Sequence, residues 1–453
     1  MRVGLLIDSL LRHGLDVFDY IRSRDYSYGE YRRLQSFQYL PMKELEHITT
    51  RNVRRITSHA YNHVPFYRRL FDESGVSIDK LYTLSDLEKM PIVSKRQLRE
   101  NFPGKVVARG FEHRKFYDRT SGSTGEPFEF FKDIHANALR LSGYMLFNSW
   151  MGVGPNDKHV QIASPKPLTP MNMIRNRILR KYKISTLLVK RKTMPFIVNR
   201  INEIDPVYVE GYSASVDNFA RLVEEMGLDL NIEPKAVIAT SEDLVESHRS
   251  RIARVIGGVV YNRYGSREFS GAVAQECSLF EGLHVNSALC HVEIVDENGE
   301  EVSEGERGRI IVTDLTNYVM PFIRYDIGDT AVKGPREGGC GRSFPIIKEV
   351  RGKSEFFLVS KQSVRIPIET VASHLFQKYA QEVYNFQFVH PERGKMELII
   401  VPTTLFREEI IKGMYEYLDD TLEDFDIEIR VVDNIPPTPL GKTPFLVTYS
   451  HER

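Results

Sequence analysis

The chain is poor in cysteine and tryptophan and carries no surplus of either charge. Three cysteines in 453 residues cannot build a disulfide framework, and an odd number leaves one thiol over even if two pair. A reducing compartment is the expectation. Lysine plus arginine and aspartate plus glutamate both total 61, so there is no global field of the kind that draws a protein onto nucleic acid or an acidic membrane. No stretch approaches the roughly 18 apolar residues of a membrane-spanning helix. The N-terminal apolar run Val3–Ile7 is interrupted by Asp8, short of the about 7 residues a secretory signal needs. A cytoplasmic protein without an integral membrane segment or a nucleic-acid partner is expected. No Gly-x-Ser-x-Gly elbow is present, which leaves a serine hydrolase unsupported. Gly441-Lys442-Thr443 has the ending of a Walker loop, but Pro436 stands where its first glycine belongs and Pro444 follows, so a P-loop kinase is excluded.

What is present is ordinary for a folded protein: 42% hydrophobic and 27% charged residues, with a length that suits two or three domains at roughly 150 residues each. Residues 1–102 carry apolar positions at helical spacing, such as Leu45, Ile48, Val53, Ile56 and Ala60, without strand signals. From Val106 to about Thr330, short β-branched runs alternate with amphipathic stretches, the pattern of an α/β fold with helix-covered sheets. Its clearest unit predicts a strand at Ala236–Thr240, a helix through Leu244, His248, Ile252 and Val255 ended by Gly257 and Gly258, and a strand at Val259–Tyr261. The polar residues Asn262 to Glu268 follow, where open α/β sheets gather ligands. A hairpin is expected over His291–Val312, turning at Asp296–Gly299. Beyond Val350 the pattern restarts as a small α+β unit: strands at Glu355–Val359, Glu397–Val401 and Asp426–Val432, and helices at Thr370–Tyr379 and Phe406–Asp419. The expected division is a large N-terminal domain over 1–351 and a small mobile domain over 352–453.

Thr120-Ser121-Gly122-Ser123-Thr124-Gly125-Glu126-Pro127 packs hydroxyls and glycines between aromatic runs. Backbone N–H groups freed by glycine, together with hydroxyls, suit a phosphate cradle, and equally a solvated turn. This string resembles the phosphate loop of the acyl-adenylate-forming superfamily. Four more strings fall in that family's order: Ala239-Thr240-Ser241-Glu242, Tyr264-Gly265-Ser266-Arg267-Glu268, Tyr325-Asp326-Ile327-Gly328-Asp329 and Pro439-Leu440-Gly441-Lys442. Within the superfamily the chain is similar to the phenylacetate-CoA ligase branch, and to CapK-type capsular-polysaccharide proteins, a likeness carried by Asn62-His63-Val64-Pro65-Phe66-Tyr67-Arg68.

The resemblance implies roles. Thr120, Ser121, Gly122, Ser123, Thr124 and Gly125 hold ATP phosphates, with Ser241, Glu242, Gly265, Ser266 and Lys353 also at the nucleotide. Glu268 is the Mg²⁺ ligand, a hard oxygen suited to that ion. Tyr264 faces adenine and Asp329 the ribose. Lys442 is the catalytic lysine of adenylate formation, and Glu355 stands at the hinge. Outside that context Glu268 reads as a surface carboxylate, Tyr264 as core, Asp329 as a turn residue and Lys442 as solvated. Arg267, in a position that relatives keep small or uncharged, is expected to pair with a phosphate or to weaken Mg²⁺ binding by repulsion. Lys353 replaces the usual hinge arginine, and Phe128 a loop lysine. Cys277, His284 and Cys340 resemble a zinc site of some phenylacetate-CoA ligase-like proteins, with Gly338 in place of one cysteine, so Zn²⁺ needs Cys290 or a carboxylate to complete it.

These implications describe a ligase that uses ATP and Mg²⁺ to activate a carboxylic acid and pass it to CoA or another thiol. The alternatives are transfer to a sugar or polysaccharide amine, or a non-catalytic nucleotide-binding relative. Tyr208, Tyr212, Phe219 and Tyr261 either line the acid's pocket or belong to the core.

Overall fold

The computed structural model describes residues 26–110, 115–119, 128–163, 176–241, 244–269, 271–353, 357–362, 365–368, 371–372, 375, 378–379, 381–422, 424–436 and 446–448. Helix α1 (Met42–His63) forms because Leu45, Thr49, Val53, Ile56, Thr57 and Ala60 share one buried stripe. It stops at Val64, because the residue before a proline is driven out of the helical region, and Pro65 opens helix α2 (Pro65–Ser74). Within α2, the Tyr67 hydroxyl donates to the Pro321 carbonyl at 2.9 Å and accepts from the Ile323 N–H at 3.1 Å. The Asn62–Arg68 string thus ties the helical layer to the chain just before Tyr325.

Among the described residues the large sheet has two halves. Its parallel half runs Lys181–Ser185, His159–Ala163, Tyr208–Tyr212, Ala236–Thr240 and Val259–Ser266, each parallel to the next. The order then continues with Gly271–Glu276, Leu283–Val285, Ile346–Lys353, Tyr325–Lys333, Arg307–Asp314 and Cys290–Val295, antiparallel throughout. On the parallel half, Val160, Ile162, Val209, Val237 and Val260 pack against Ile197, Val216 and Ile252, which belong to the helices Met194–Ile204, Ser213–Glu225 and Glu246–Ile256. The hairpin expected at His291–Val312 pairs Cys290 with Asp314 through Val295 with Arg309.

The structure departs from the sequence reading in several places. The N-terminal layer contains a short strand after all: Val93–Ser94 runs parallel to Tyr325–Asp326. The strand beginning at Val259 reaches Ser266 instead of stopping at Tyr261, because Gly271–Glu276 folds back on it. Arg263, polar and 3% exposed, is tolerated there because Gln275 and Asn148 accept its hydrogen bonds, each at 2.6 Å.

Arg324 joins the layers. At 2% exposure it donates to Glu88 and Met90 carbonyls at 2.6 Å, to the Gly299 carbonyl at 3.0 Å, and to Glu293. One guanidinium, with its fixed fork of donors, thereby closes the helical layer, the hairpin turn and the sheet onto one another.

The C-terminal residues build a separate four-stranded sheet in the order Asp426–Val431, Lys395–Pro402, Val383–His390 and Leu446–Thr448. Phe386, Phe388, Leu398 and Ile400 on one face pack with Met414 and Leu418 of the helix Glu409–Thr421. The expected strand at Glu355–Val359 is seen as Phe357–Val359, and Val371, Ala372 and Leu375 of the expected helix are buried in the same core. Tyr384 reaches the large sheet's helices: its ring lies under Arg221 at 4.2 Å and Arg251 at 5.2 Å. None of the described helices is long and apolar enough to cross a membrane.

Candidate active site

Tyr264, Gly265 and Ser266 end the strand at the junction of the parallel and antiparallel halves of the sheet. Gly265 is required there, because a side chain would stand 2.1 Å from the carbonyl of Gly271. The Tyr264 hydroxyl donates to Asp329 Oδ2 at 2.7 Å. Burial, with the charge of Asp329 added, pushes the phenol well above its usual value, so Tyr264 stays a neutral donor. Asp329 is presented by the strand Tyr325–Lys333, where Gly328 adopts a φ of +86° and donates its N–H to Asp326 Oδ1 at 2.9 Å. Two residues that the sequence analysis assigned to adjacent parts of a nucleoside are therefore in contact.

Glu268 is 4% exposed. The Ser266 hydroxyl donates to its carboxylate, and Lys95 Nζ lies 3.1 Å from Oε1. Burial alone would raise this carboxyl, but Lys95 and Ser266 outweigh it and hold it below the usual carboxylate range. Glu268 is thus an anion at neutral pH, the form a divalent cation needs. Beside it, the buried Tyr325 hydroxyl has no partner among the described residues, a free donor next to the charges of Glu268 and Asp329. Lys95 escaped the sequence reading. It opens the helix Lys95–Glu100 behind the N-cap Ser94, where a cation opposes the helix dipole, and that mismatch was the available signal.

Arg267 neither lies free nor faces Glu268. Its guanidinium donates to Asp118 Oδ1 at 2.7 Å, on the strand Lys115–Arg119 that leads into Thr120. That neutralisation removes the repulsion expected of it. Lys132, on the partner strand Glu129–Asp133, lies 3.4 Å from Asp118, and burial lowers it to about 8. Phe128 is fully buried in an aromatic cluster with Phe130, Phe322 and Tyr325.

Cys277, His284 and Cys340 bring their ligand atoms within 4.8 Å of one another. His284 Nδ1 bonds the Phe344 carbonyl at 3.0 Å, leaving Nε2 toward Cys340 Sγ at 3.3 Å. Burial lowers His284, so its imidazole is neutral. Cys290 is not part of this group: it is 2% exposed, packs in the main core and points its sulfur at the Asn286 carbonyl at 3.6 Å. Of the two completing ligands expected, Cys290 or a carboxylate, this geometry leaves the carboxylate.

Thr120 to Gly125, Glu242, Glu355 and Lys442 lie outside the described residues, and Lys353 is described only as the end of its strand. Ser241 follows the strand Ala236–Thr240 with a φ of +68°. Of the aromatics offered for a pocket, Phe219 is buried on the helix side, and Tyr208 and Tyr261 pack with Met151 and Ile238. Only Tyr212 is half-buried.

Mixed α/β architecture of this kind, with its large sheet and separate C-terminal sheet, is the fold of the adenylate-forming ligases. The chain superposes on 2-hydroxyisobutyryl-CoA ligase in its postadenylation state with a TM-score of 0.72 at 20% identity, over 91% of both chains. The same enzyme in its thioesterification state gives 0.62. No protein-family model matches the chain. In sequence it is similar to the phenylacetate-coenzyme A ligase of Thermus thermophilus, 25% identical over 89% of this chain and 95% of the relative. It is also similar to Protein CapK of Staphylococcus aureus, 22% identical over 85% of this chain and 86% of CapK.

Proposed function

We propose that the protein is an ATP-dependent, AMP-forming ligase that activates a carboxylic acid as its acyl-adenylate and passes the acyl group to CoA. The observation that carries this is the Tyr264–Asp329 contact beside an ionised Glu268, three residues from two of the five ordered strings meeting at one sheet junction. Thr120 to Gly125 and Ser241 hold the phosphates, Tyr264 and Asp329 the adenosine, and Lys442 spans the carboxylate and the α-phosphate. Glu268, with Lys95 moved aside, fits Mg²⁺; when bound, that ion neutralises the phosphates and assists departure of pyrophosphate. The better superposition on the postadenylation state supports assigning this arrangement to the first half-reaction. Tyr384, clasped by Arg221 and Arg251, holds it, and turning about Glu355 presents the second. Likeness to CapK favours a second reading in which the acceptor is a sugar or polysaccharide amine.

The test is ATP–pyrophosphate exchange with pooled carboxylic acids and Mg²⁺. Acid-dependent exchange is expected; a folded, ATP-binding protein that exchanges with no pool overturns the proposal. CoA, a carrier thiol and amino sugars, added one at a time, then identify the acceptor by the acyl product formed.

The cysteine–histidine cluster fits zinc as three of four ligands. A tetrahedral ion needs ligand atoms roughly 3.5–3.8 Å apart, and the set lies within about 1 Å of that. The Phe344 carbonyl already fixes the tautomer that a metal-bound histidine requires. Burial raises Cys277, so a cation is needed to hold its thiolate. Dialysed protein is expected to retain about one zinc per chain by elemental analysis, and Cys340→Ser to lose it with a lower melting temperature. Metal-free wild type after dialysis against zinc-containing buffer rejects the site.

A further inference from the structure

The parallel half of the large sheet turns an apolar face to its helices, and its other face changes character along the strands. Near the strand starts, Tyr208 and Ala236 on that face pack against Met151 and Val153. Farther along, Lys183, Gln161, Glu210, Ile238 and Tyr261 lie side by side in register, the row changing from polar to aliphatic and aromatic at Glu210. Toward the strand ends, Tyr212, Thr240 and Arg263 form the next row. Ligands in open α/β sheets lie beyond these ends, and here Ser241 follows the strand Ala236–Thr240 and Tyr264 lies on the next, Val259–Ser266.

Glu210 is the residue that needs explaining. A carboxylate in the middle of an interior strand costs several kcal/mol unless its lone pairs are engaged. Protein surrounds it, yet it keeps part of its surface open to solvent. Burial alone would raise its carboxyl, but Lys181, Arg263 and His159 reverse the shift and hold it low, so it is ionised. The described residues give it one hydrogen bond, from Gln161 Nε2 at 2.8 Å. The Arg263 guanidinium donates to Gln275 and Asn148 and lies over the Tyr144 ring at 5.2 Å. An ionised carboxylate accepts about four hydrogen bonds, so acceptor capacity remains on the open side.

We propose that Glu210 lines the acid's pocket, and that the acid carries a hydrogen-bond donor, a hydroxyl or an ammonium, on the part remote from its reacting carboxylate. This rests on the acyl-adenylate reading above. A purely alkyl or aryl tail laid over Glu210 strips its water and returns no hydrogen bond, whereas a donor restores one, strengthened by the charge. Sites built to bond a substrate's polar group reject the analogue lacking it far more strongly than apolar pockets discriminate by size. The substrate class is therefore polar acids, in contrast to phenylacetate.

The test compares matched acids in pyrophosphate exchange, 4-hydroxybutyrate and 4-aminobutyrate against pentanoate and phenylacetate, within a wider panel of hydroxy, sugar and amino acids. The expected result is a kcat/KM at least about 10²-fold higher for a donor-bearing acid than for its apolar match. Glu210→Leu collapses that preference. Glu210→Gln, which still accepts from a hydroxyl but cannot pair with an ammonium, keeps a hydroxy acid within about tenfold and loses an amino acid. That difference identifies which donor is bound. Best turnover of an apolar acid by the wild type overturns the proposal while leaving adenylation intact. Failure of every acid to support exchange, in protein that binds ATP, overturns both. Should Glu210→Leu not fold by thermal melting, the wild-type ranking and Glu210→Gln decide.

Discussion

Replacing Glu268 with glutamine is expected to lower acid-dependent pyrophosphate exchange by about 10²–10³-fold, the size of loss that follows removal of one preorganised charge-stabilising group. Glutamine keeps the volume and can still accept from Ser266, so the change removes the charge and little else. Its structural cost is modest. Lys95 loses its partner but is 28% exposed at its side chain, and water takes over part of the carboxylate's role, leaving about 1–3 kcal/mol of destabilisation. The catalytic and structural effects separate by measurement. Raising Mg²⁺ is expected to recover part of the exchange in Glu268→Gln without moving its melting temperature. Exchange within about threefold of wild type at ordinary Mg²⁺ would remove Glu268 from the proposed machinery, since the effect sought is at least 10².

The Lys95–Glu268 pair also sets a pH dependence with a definite sign. The folded carboxyl is held below its usual value, so the pair's stabilisation is fully present above the ordinary carboxylate pKa of about 4.3 and is lost as pH falls through the lower folded value. The stability difference between wild type and Glu268→Gln is expected to shrink as pH falls below about 4.

Parts of this molecule that depend on near neighbours were legible in the sequence. The stripe from Leu45 to Ala60 made its helix, Gly257 and Gly258 ended theirs, and the alternation from Asp426 made an edge strand, each from residues a few positions apart. What depends on distant partners was not. The strand past Tyr261 reads as polar chain because Arg263 is satisfied by Asn148 and Gln275, which its own neighbourhood does not reveal. Val93–Ser94 is a strand only because Tyr325 lies beside it. The same distinction holds at the site. Tyr264, Glu268 and Asp329 were marked by local strings, while Lys95 acquires its place through a helix start brought against Glu268 by folding. Arg267 shows the cost of reading charge without geometry: beside Glu268 in sequence, it pairs with Asp118 on another sheet. Of the aromatics that the sequence offered to either pocket or core, Phe219, Tyr208 and Tyr261 are core, while Tyr212 and the carboxylate of Glu210 keep partial exposure.

Lys442→Ala is expected to remove adenylate formation while sparing acyl transfer. The lysine belongs to the connection between the two outer strands of the C-terminal sheet, Asp426–Val431 and Leu446–Thr448. An ammonium about 4 Å from a phosphate oxygen contributes about 1 kcal/mol in water and about 4 at an effective dielectric of 20. Its value to the transition state therefore depends on closure of the small sheet's end over the nucleotide and exclusion of water. The difference of about 3 kcal/mol corresponds to about 10²-fold in rate, and loss of the cation itself brings the expected effect to 10²–10³-fold in exchange. Tyr384 anchors the C-terminal sheet on Arg221 and Arg251, so the alanine protein is expected to keep its melting temperature and its affinity for ATP. Supplied with a chemically prepared acyl-adenylate and the acceptor, it is expected to form product at close to the wild-type rate, because that step no longer needs pyrophosphate to leave. Equal loss of both half-reactions would show that Lys442 supports the closed arrangement instead of the chemistry, and unchanged exchange would move the catalytic cation elsewhere.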